Sequence, residues 1–427
     1  GRYRLVIELE PTHAGARDAL ERLVRGDSHR EMIAAILEQI YEVTGEVEPL
    51  VKVLELRLEG MADPPGRRGL LMRISQLREE GLDDLEGGFE ACARALKEDP
   101  ADLEVQRELD RLAAVLEDLP RLIAVYEERL KDIFDATLSR ALHLKVATLL
   151  EEVIGDDEGA GSHYRSALDY EGDDLEPLRA LDRILLRQEN WSDLLDVLDR
   201  ELGALADPAE QADVYNRIGE IRIDVNGDLD GAFEAFREAL EREPGMERAL
   251  SAMERLLQEE TFKVPVLEVL EPIYEADADH AKLVELLEIR LTTLSDPMDQ
   301  TALLERIATL YETELGEPIL AFDALGRALT EDPASEPVLQ QLERLAEEGG
   351  RYEELVALAD GVLLGGDLSP NAIRVLGLKA AAWNGEKLND IERAQGCLKK
   401  VLEVDPDCRR ALEELEKIFR ASFEMKE

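Results

Sequence analysis

Aromatic residues supply only 4% of the 427-residue chain, too few for the ring-rich core of a β-sandwich and better suited to helices packed through Leu and Ala. Cysteine is almost absent. Cys92, Cys397 and Cys408 form no CxxC pair and are odd in number, which argues against a disulfide frame or a metal site and leaves reduced packing residues. The five histidines, His13, His29, His143, His163 and His280, show no helical ligand spacing and read as isolated surface residues. No GxSxG, HExxH, P-loop or GxGxxG occurs, so the sequence implies neither an enzyme nor a cofactor. No apolar run approaches the roughly 18 residues that span a bilayer. No signal peptide opens the chain, which makes the cytoplasm the default expectation. The chain begins Gly-Arg-Tyr inside a repeat, so it is expected to be a fragment of a larger protein.

Bases are scarce too, 50 Lys and Arg against 97 Asp and Glu, for a net charge of −47. That field repels nucleic acid and anionic lipid and keeps a long body soluble; it remains compatible with a cationic partner.

What the chain has in abundance is self-similarity. Ala95 to Leu112 ends one helix, turns at Asp99-Pro100 and opens another carrying Leu-Asp-Arg-Leu. The turn position recurs at Pro11, Pro100, Gly172, Pro244, Pro333 and Pro406, in steps of 89, 72, 72, 89 and 73. Such a period implies stacked units, none able to bury its apolar face alone. Apolar residues recur at three and four, never in strict alternation, so each 72-residue step reads as four helices and no strand is expected. Asp-Pro pairs at Asp63, Asp207 and Asp296 predict N-caps with Pro in the first turn. The first helix of one unit is placed at Ala209–Asp224 and the second at Asp228–Arg242. The 17-residue excess of the long steps lies near 28–45 and 261–278, where Ile40-Tyr41 aligns with Ile273-Tyr274, and predicts one additional helix in each; elongation of two neighbouring helices is the rival. The series Asp224, Asn226, Asp228, Asp230 imitates the start of an EF-hand, but Leu229 and Ala235 replace its Gly and Glu, so it reads as an inter-helix turn. Trp191, Trp383 and Tyr215 read as core residues.

The pattern resembles the tetratricopeptide repeat, in which small residues let paired antiparallel helices approach closely. Gly219, Ala232, Phe236, Ala239 and Pro244 carry the resemblance in one unit, Ala308, Tyr311, Ala321, Ala328 and Pro333 in another, and Ala147, Ala160, Tyr164 and Ala167 in a third. It covers nearly the whole chain and implies an all-α, right-handed solenoid of about 24 helices over residues 1–427.

Two ladders of bases stand out in so acidic a chain. One occupies the first helix of each unit, at Arg73, Lys145, Arg217, Arg306 and Lys379. The other occupies the third, at Arg22, Arg111, Arg183, Arg255, Arg344 and Lys417. The resemblance implies that both face the concave side. There they would form a basic track for an acidic segment of a protein or peptide partner. The competing reading pairs each base with an acid of a neighbouring repeat, such as Asp99, Glu243, Asp332 or Asp405. Repetition in every unit favours that pairing, because packing repeats whereas ligand contacts usually do not. The functional expectation is a non-enzymatic scaffold that binds a partner. The alternatives are a structural spacer, or the regulatory region of an enzyme whose catalytic domain is not in this chain.

Overall fold

A computed structural model describes Glu10 and residues 13–26, 29–366 and 368–424. The helix end expected over residues 1–9 lies outside them. The described residues form 23 α-helices and no strand. Before the turn at Pro100 lie α1 (Ala14–Val24), α2 (Arg30–Thr44), α3 (Val47–Gly60), α4 (Pro64–Gln76) and α5 (Leu85–Glu98). Then come α6 (Leu103–Leu116), α7 (Leu119–Leu130), α8 (Ala136–Thr148) and α9 (Asp157–Glu171), followed by α10 (Leu175–Arg187), α11 (Trp191–Ala204), α12 (Pro208–Ile221) and α13 (Leu229–Arg242). Between Pro244 and Pro333 lie five helices, α14 (Glu247–Leu256), α15 (Lys263–Ala276), α16 (His280–Thr293), α17 (Pro297–Thr309) and α18 (Pro318–Glu331). The chain continues with α19 (Glu336–Gly349), α20 (Tyr352–Leu364), α21 (Pro370–Ala382), α22 (Ile391–Val404) and α23 (Arg409–Glu424). Thus the 72- and 73-residue steps hold four helices and the 89-residue step from Pro244 holds five. α2 and α15 occupy the extra lengths, and the Tyr41 and Tyr274 hydroxyls each donate to an acid 20 residues earlier, Glu21 and Glu254.

The chain divides into two compact units, Gly1–Ala206 and Asp207–Glu427. Within each, nearly every helix packs on its sequence neighbours, the short-range contact of an α-solenoid. Small residues set the approach. Ala232 and Ala239 are buried on α13, and a Cβ placed on Gly219 of α12 would lie 2.5 Å from the Phe236 ring.

Local chemistry explains the helix starts. The carboxylates of Asp63, Asp207 and Asp296 accept from the free N–H groups of Gly66, Ala209 and Met298, with Pro in each first turn. The helix ends differ from expectation. The first helix of every unit finishes in a widened π turn, at Leu77–Gly81, Leu149–Ile154, Arg222–Asn226, Leu310–Glu314 and Trp383–Lys387. The helix placed at Ala209–Asp224 is therefore α-helical only to Ile221. Each π turn closes through the same backbone bond, as where Asp84 N–H donates to Arg78 carbonyl at 2.9 Å and Asp228 to Arg222 at 3.0 Å. The residue before the next cap must turn left-handed, which suits Gly155, Gly227 and Gly316 and is also taken up by Asp83 and Asn389. The EF-hand-like run is this turn: Asp228 caps α13 by accepting from Gly231 N–H.

Candidate functional site

The first-helix ladder is engaged within the chain itself. Arg73 on α4 pairs with Glu38, at 2.6 Å, and with Glu42, both on α2. Lys145 on α8 lies 2.6 Å from Asp110 on α6 and 2.7 Å from the Tyr126 hydroxyl on α7. Tyr126 is fully buried and donates to the same carboxylate at 2.7 Å; burial first, then Asp110, pushes its phenol upward. Arg306 on α17 pairs with Glu275 and approaches Glu271 at 3.8 Å, both on α15. Lys379 on α21 lies 2.8 Å from Glu343 on α19. Arg217, at the same position on α12, is likewise engaged.

The third-helix ladder obeys a spacing that only the structure reveals. Arg111 pairs with Glu79, Arg183 with Glu151 at 3.4 Å, and Arg344 with Glu312 at 2.6 and 2.7 Å. Each acid lies 32 residues earlier, on the preceding π turn. The rule fails where the acid is missing. Position 223 is Ile, and the exposed Arg255 side chain has no hydrogen bond or ion pair among the described residues. Position 385 is Gly, and Lys417 turns to Glu414 on its own helix at 2.7 Å. Arg22 donates to the Asp18 carbonyl, also on its own helix.

These partners differ from the acids that sequence reasoning proposed. Asp99, for example, pairs with Arg68 at 2.7 Å, not with a ladder base. The acids expected to serve stand in the inter-helix turns after the second helices, whereas the ladder bases reach back to helices and π turns about 31–36 residues earlier. The two ladders meet in unit 1, where Arg73, Arg107 and Arg111 line a cleft of about 690 Å³ with Glu79, Glu104 and Glu108. Arg107 there is exposed and has no ion pair among the described residues.

Other sequence readings resolve directly. Cys92, Cys397 and Cys408 are buried and free. Burial pushes the Cys92 thiol to about 12 and the Cys397 thiol to about 11, so both stay protonated and are poor nucleophiles or ligands. Trp383 is almost wholly buried, whereas Trp191, at the first position of α11, is only half-buried. Arg242 lies 4.4 Å above the half-buried Tyr215 ring. No helix among the described residues is long and apolar enough to cross a membrane, and no three His, Cys, Asp or Glu side chains among them are grouped to hold a metal.

The histidines are a correction. His143 and His163, 20 residues apart, face each other across α8 and α9 with their Nδ1 atoms 2.9 Å apart. Glu127 lies 3.5 Å from His163 Nε2, the Tyr170 ring lies 5.9 Å from the His143 ring, and Asp169 adds a weak upward pull. Burial first, then His163, holds His143 below the usual imidazole range. A base depressed in the folded state binds fewer protons there than when unfolded. Its contribution is therefore lost as pH falls through the unfolded histidine value of about 6.5 and levels off below the folded value. Hydrogen-exchange protection of α8–α9, taken relative to the intrinsic rate at each pH, should fall between pH 7 and pH 5, and His143→Gln should flatten that fall; an unchanged protection profile would refute the assignment.

No family model matches the chain, and no curated protein matches it. Solved structures resemble it at low identity. One is a chain of the Naa15/Naa10 complex bound to HypK-THB, at 15% identity over 93% of this chain and 62% of that one, with a TM-score of 0.30. Another is the C-terminal part of a TPR repeat-containing protein from Cytophaga hutchinsonii, at 12% over 58% and 98%, with 0.29. A third is the TPR2AB domain of yeast Sti1 in its pHSP90 complex, at 13% over 62% and 98%, with 0.24. The chain thus spans less than two thirds of the Naa15/Naa10-complex chain it matches. Likenesses this weak carry no functional argument. In the structure itself, the small residues sit where successive helices touch, and the fold of the described residues is all-α.

Proposed function

We propose that the chain is a non-enzymatic scaffold that holds a protein partner through the faces carrying the third-helix ladder. The observation that carries this reading is Arg255. Three ladder members are neutralised by an acid 32 residues earlier, and at Arg255 that acid is replaced by the half-buried Ile223. A cation left exposed in a chain of net charge −47 is a ready anchor for a partner carboxylate, which it can meet without first breaking an internal pair. In unit 1, Arg107 offers the same property inside the cleft between α4 and α6.

Arg255→Glu should lower capture of a cross-linked partner by about tenfold, the equivalent of 1.4 kcal/mol, and leave the helical signal and melting temperature unchanged. Arg344→Glu, which breaks a two-point pair with Glu312 and sets acid against acid, should lower local stability as well. Undiminished capture by Arg255→Glu would remove this reading.

A second reading, a structural spacer, draws support from Arg73, Lys145, Arg306 and Lys379, whose acids are all internal. Two reversals separate the readings: lost capture with intact helices on Arg255→Glu favours the scaffold, and lost helices on charge reversal at Arg306 favour the spacer.

A further inference from the structure

One position in the second helix of the units is phenylalanine three times, at Phe89, Phe233 and Phe322, glycine at Gly161, and glutamine at Gln395. Each of the three rings is covered by a second group. The Arg121 guanidinium lies 4.8 Å from the Phe89 ring, the Phe262 ring 5.8 Å from that of Phe233, and the Arg351 guanidinium 4.4 Å from that of Phe322. At Gly161 the ring is missing. The three atoms nearest a Cβ built there are Arg165 Nη1 at 3.7 Å, a Leu181 carbon at 3.9 Å and an Ile184 carbon at 4.0 Å, all ordinary contacts.

A cleft of about 380 Å³ opens over this glycine, against about 170 Å³ beside Phe322 in the equivalent place. The first value lies within the range of small-ligand sites, which begins at about 300 Å³. Leu181 and Ile184 form its apolar floor. The counterparts of Arg121 and Arg351 here are Asp193 and Asn190, and the cation at the slot is a different one, Arg165, one turn further along α9. Arg165 hangs over the slot with its Nη2 3.1 Å from Asp193, and Asn190 holds the same carboxylate at 3.0 Å. Glu158 on the rim is exposed and has no ion pair among the described residues.

We propose that the Gly161 slot receives an aromatic side chain of the partner, stacked on the Arg165 guanidinium above Leu181 and Ile184. A basic residue beside that ring in the partner meets Glu158. The proposal deepens the scaffold reading and rests on it for the existence of a partner. The protein's own repeats show that this column accepts a ring beside a guanidinium, since Phe89 and Phe322 sit under Arg121 and Arg351, which stand at the start of a later helix, whereas Arg165 comes from the same helix as Gly161. The attraction of a cation for a ring face then selects an aromatic over an aliphatic guest.

The test uses the full chain and three probes: acetyl-phenylalanyl-arginine amide, its cyclohexylalanyl analogue and its alanyl analogue, followed by saturation-transfer NMR. The phenylalanyl probe should bind tightest. Gly161→Phe, which supplies the ring internally, should weaken it by at least about tenfold and raise the melting temperature, while Gly161→Ala preserves binding. Arg165→Gln should weaken the phenylalanyl probe and leave the cyclohexylalanyl one unchanged, a discrimination that holds even if Gly161→Phe fails to fold. Equal binding of all three probes, or no effect of Arg165→Gln, overturns the proposal. Partner capture that survives Gly161→Phe refutes the slot and leaves the scaffold standing. Probe binding by a chain that captures no protein refutes the scaffold and leaves the slot.

Discussion

Phe236→Ala should destabilise the α12–α13 pair by about 3–5 kcal/mol, the range for truncating a fully enclosed aromatic ring. Phe236 has no exposed surface and lies against Gly219, where even a methyl group would approach the ring to 2.5 Å. That closeness makes the effect of Gly219→Ala depend on its neighbour. With Phe236 present, overpacking of about 1–3 kcal/mol opposes the helix-propensity gain of about 1 kcal/mol, and the net change is destabilising. With Phe236→Ala in place, the methyl enters vacated space and only the gain remains, so the same substitution stabilises. Hydrogen exchange of α12–α13 is the measurement of choice, because repeat arrays can unfold in parts and one melting temperature then averages over them. Equal effects of Gly219→Ala in both backgrounds would show that the two residues do not touch as described.

Trp383→Ala should cost about 3–5 kcal/mol in unit 2 for the same reason. The indole is 1% exposed, opens the π turn after α21 and belongs to a core that also contains Leu376, Ala380 and Val401. Its Nε1–H has no acceptor among the described residues. Trp383→Phe removes that buried, unanswered donor together with part of the ring, so the two losses offset and it should cost well under half as much as the alanine variant. Denaturant unfolding followed by far-UV circular dichroism reads both. Similar costs for Phe and Ala would mean that the indole N–H is satisfied after all.

The fold was largely legible because its determinants are local. Apolar spacing marks the helices, and Asp-Pro pairs mark starts that the structure caps as expected, at Asp63, Asp207 and Asp296. The helix ends were not legible. The π turns carry no periodic signal, and they appear in sequence only as a left-handed slot filled by Gly in three units and by Asp83 or Asn389 in two. The basic ladders were visible, but their partners depend on which faces meet. Glu79, Glu151 and Glu312 look like any other acids until the chain folds. His143 and His163 were invisible for the same reason, being 20 residues apart on facing helices. The slot at Gly161 could have been found by aligning Phe89, Phe233 and Phe322, since the glycine interrupts that column.

The 32-residue bond between a third-helix arginine and the π turn behind it has a genetic corollary. Excise residues 101–172 and the splice delivers Arg183 to Glu79 in the register that Arg111 held. Loss of that block therefore creates no orphaned charge in this ladder, whereas a lesion of one helix strands a base on one side and an acid on the other. A gene built this way can change length in blocks and resists change in fractions of a block.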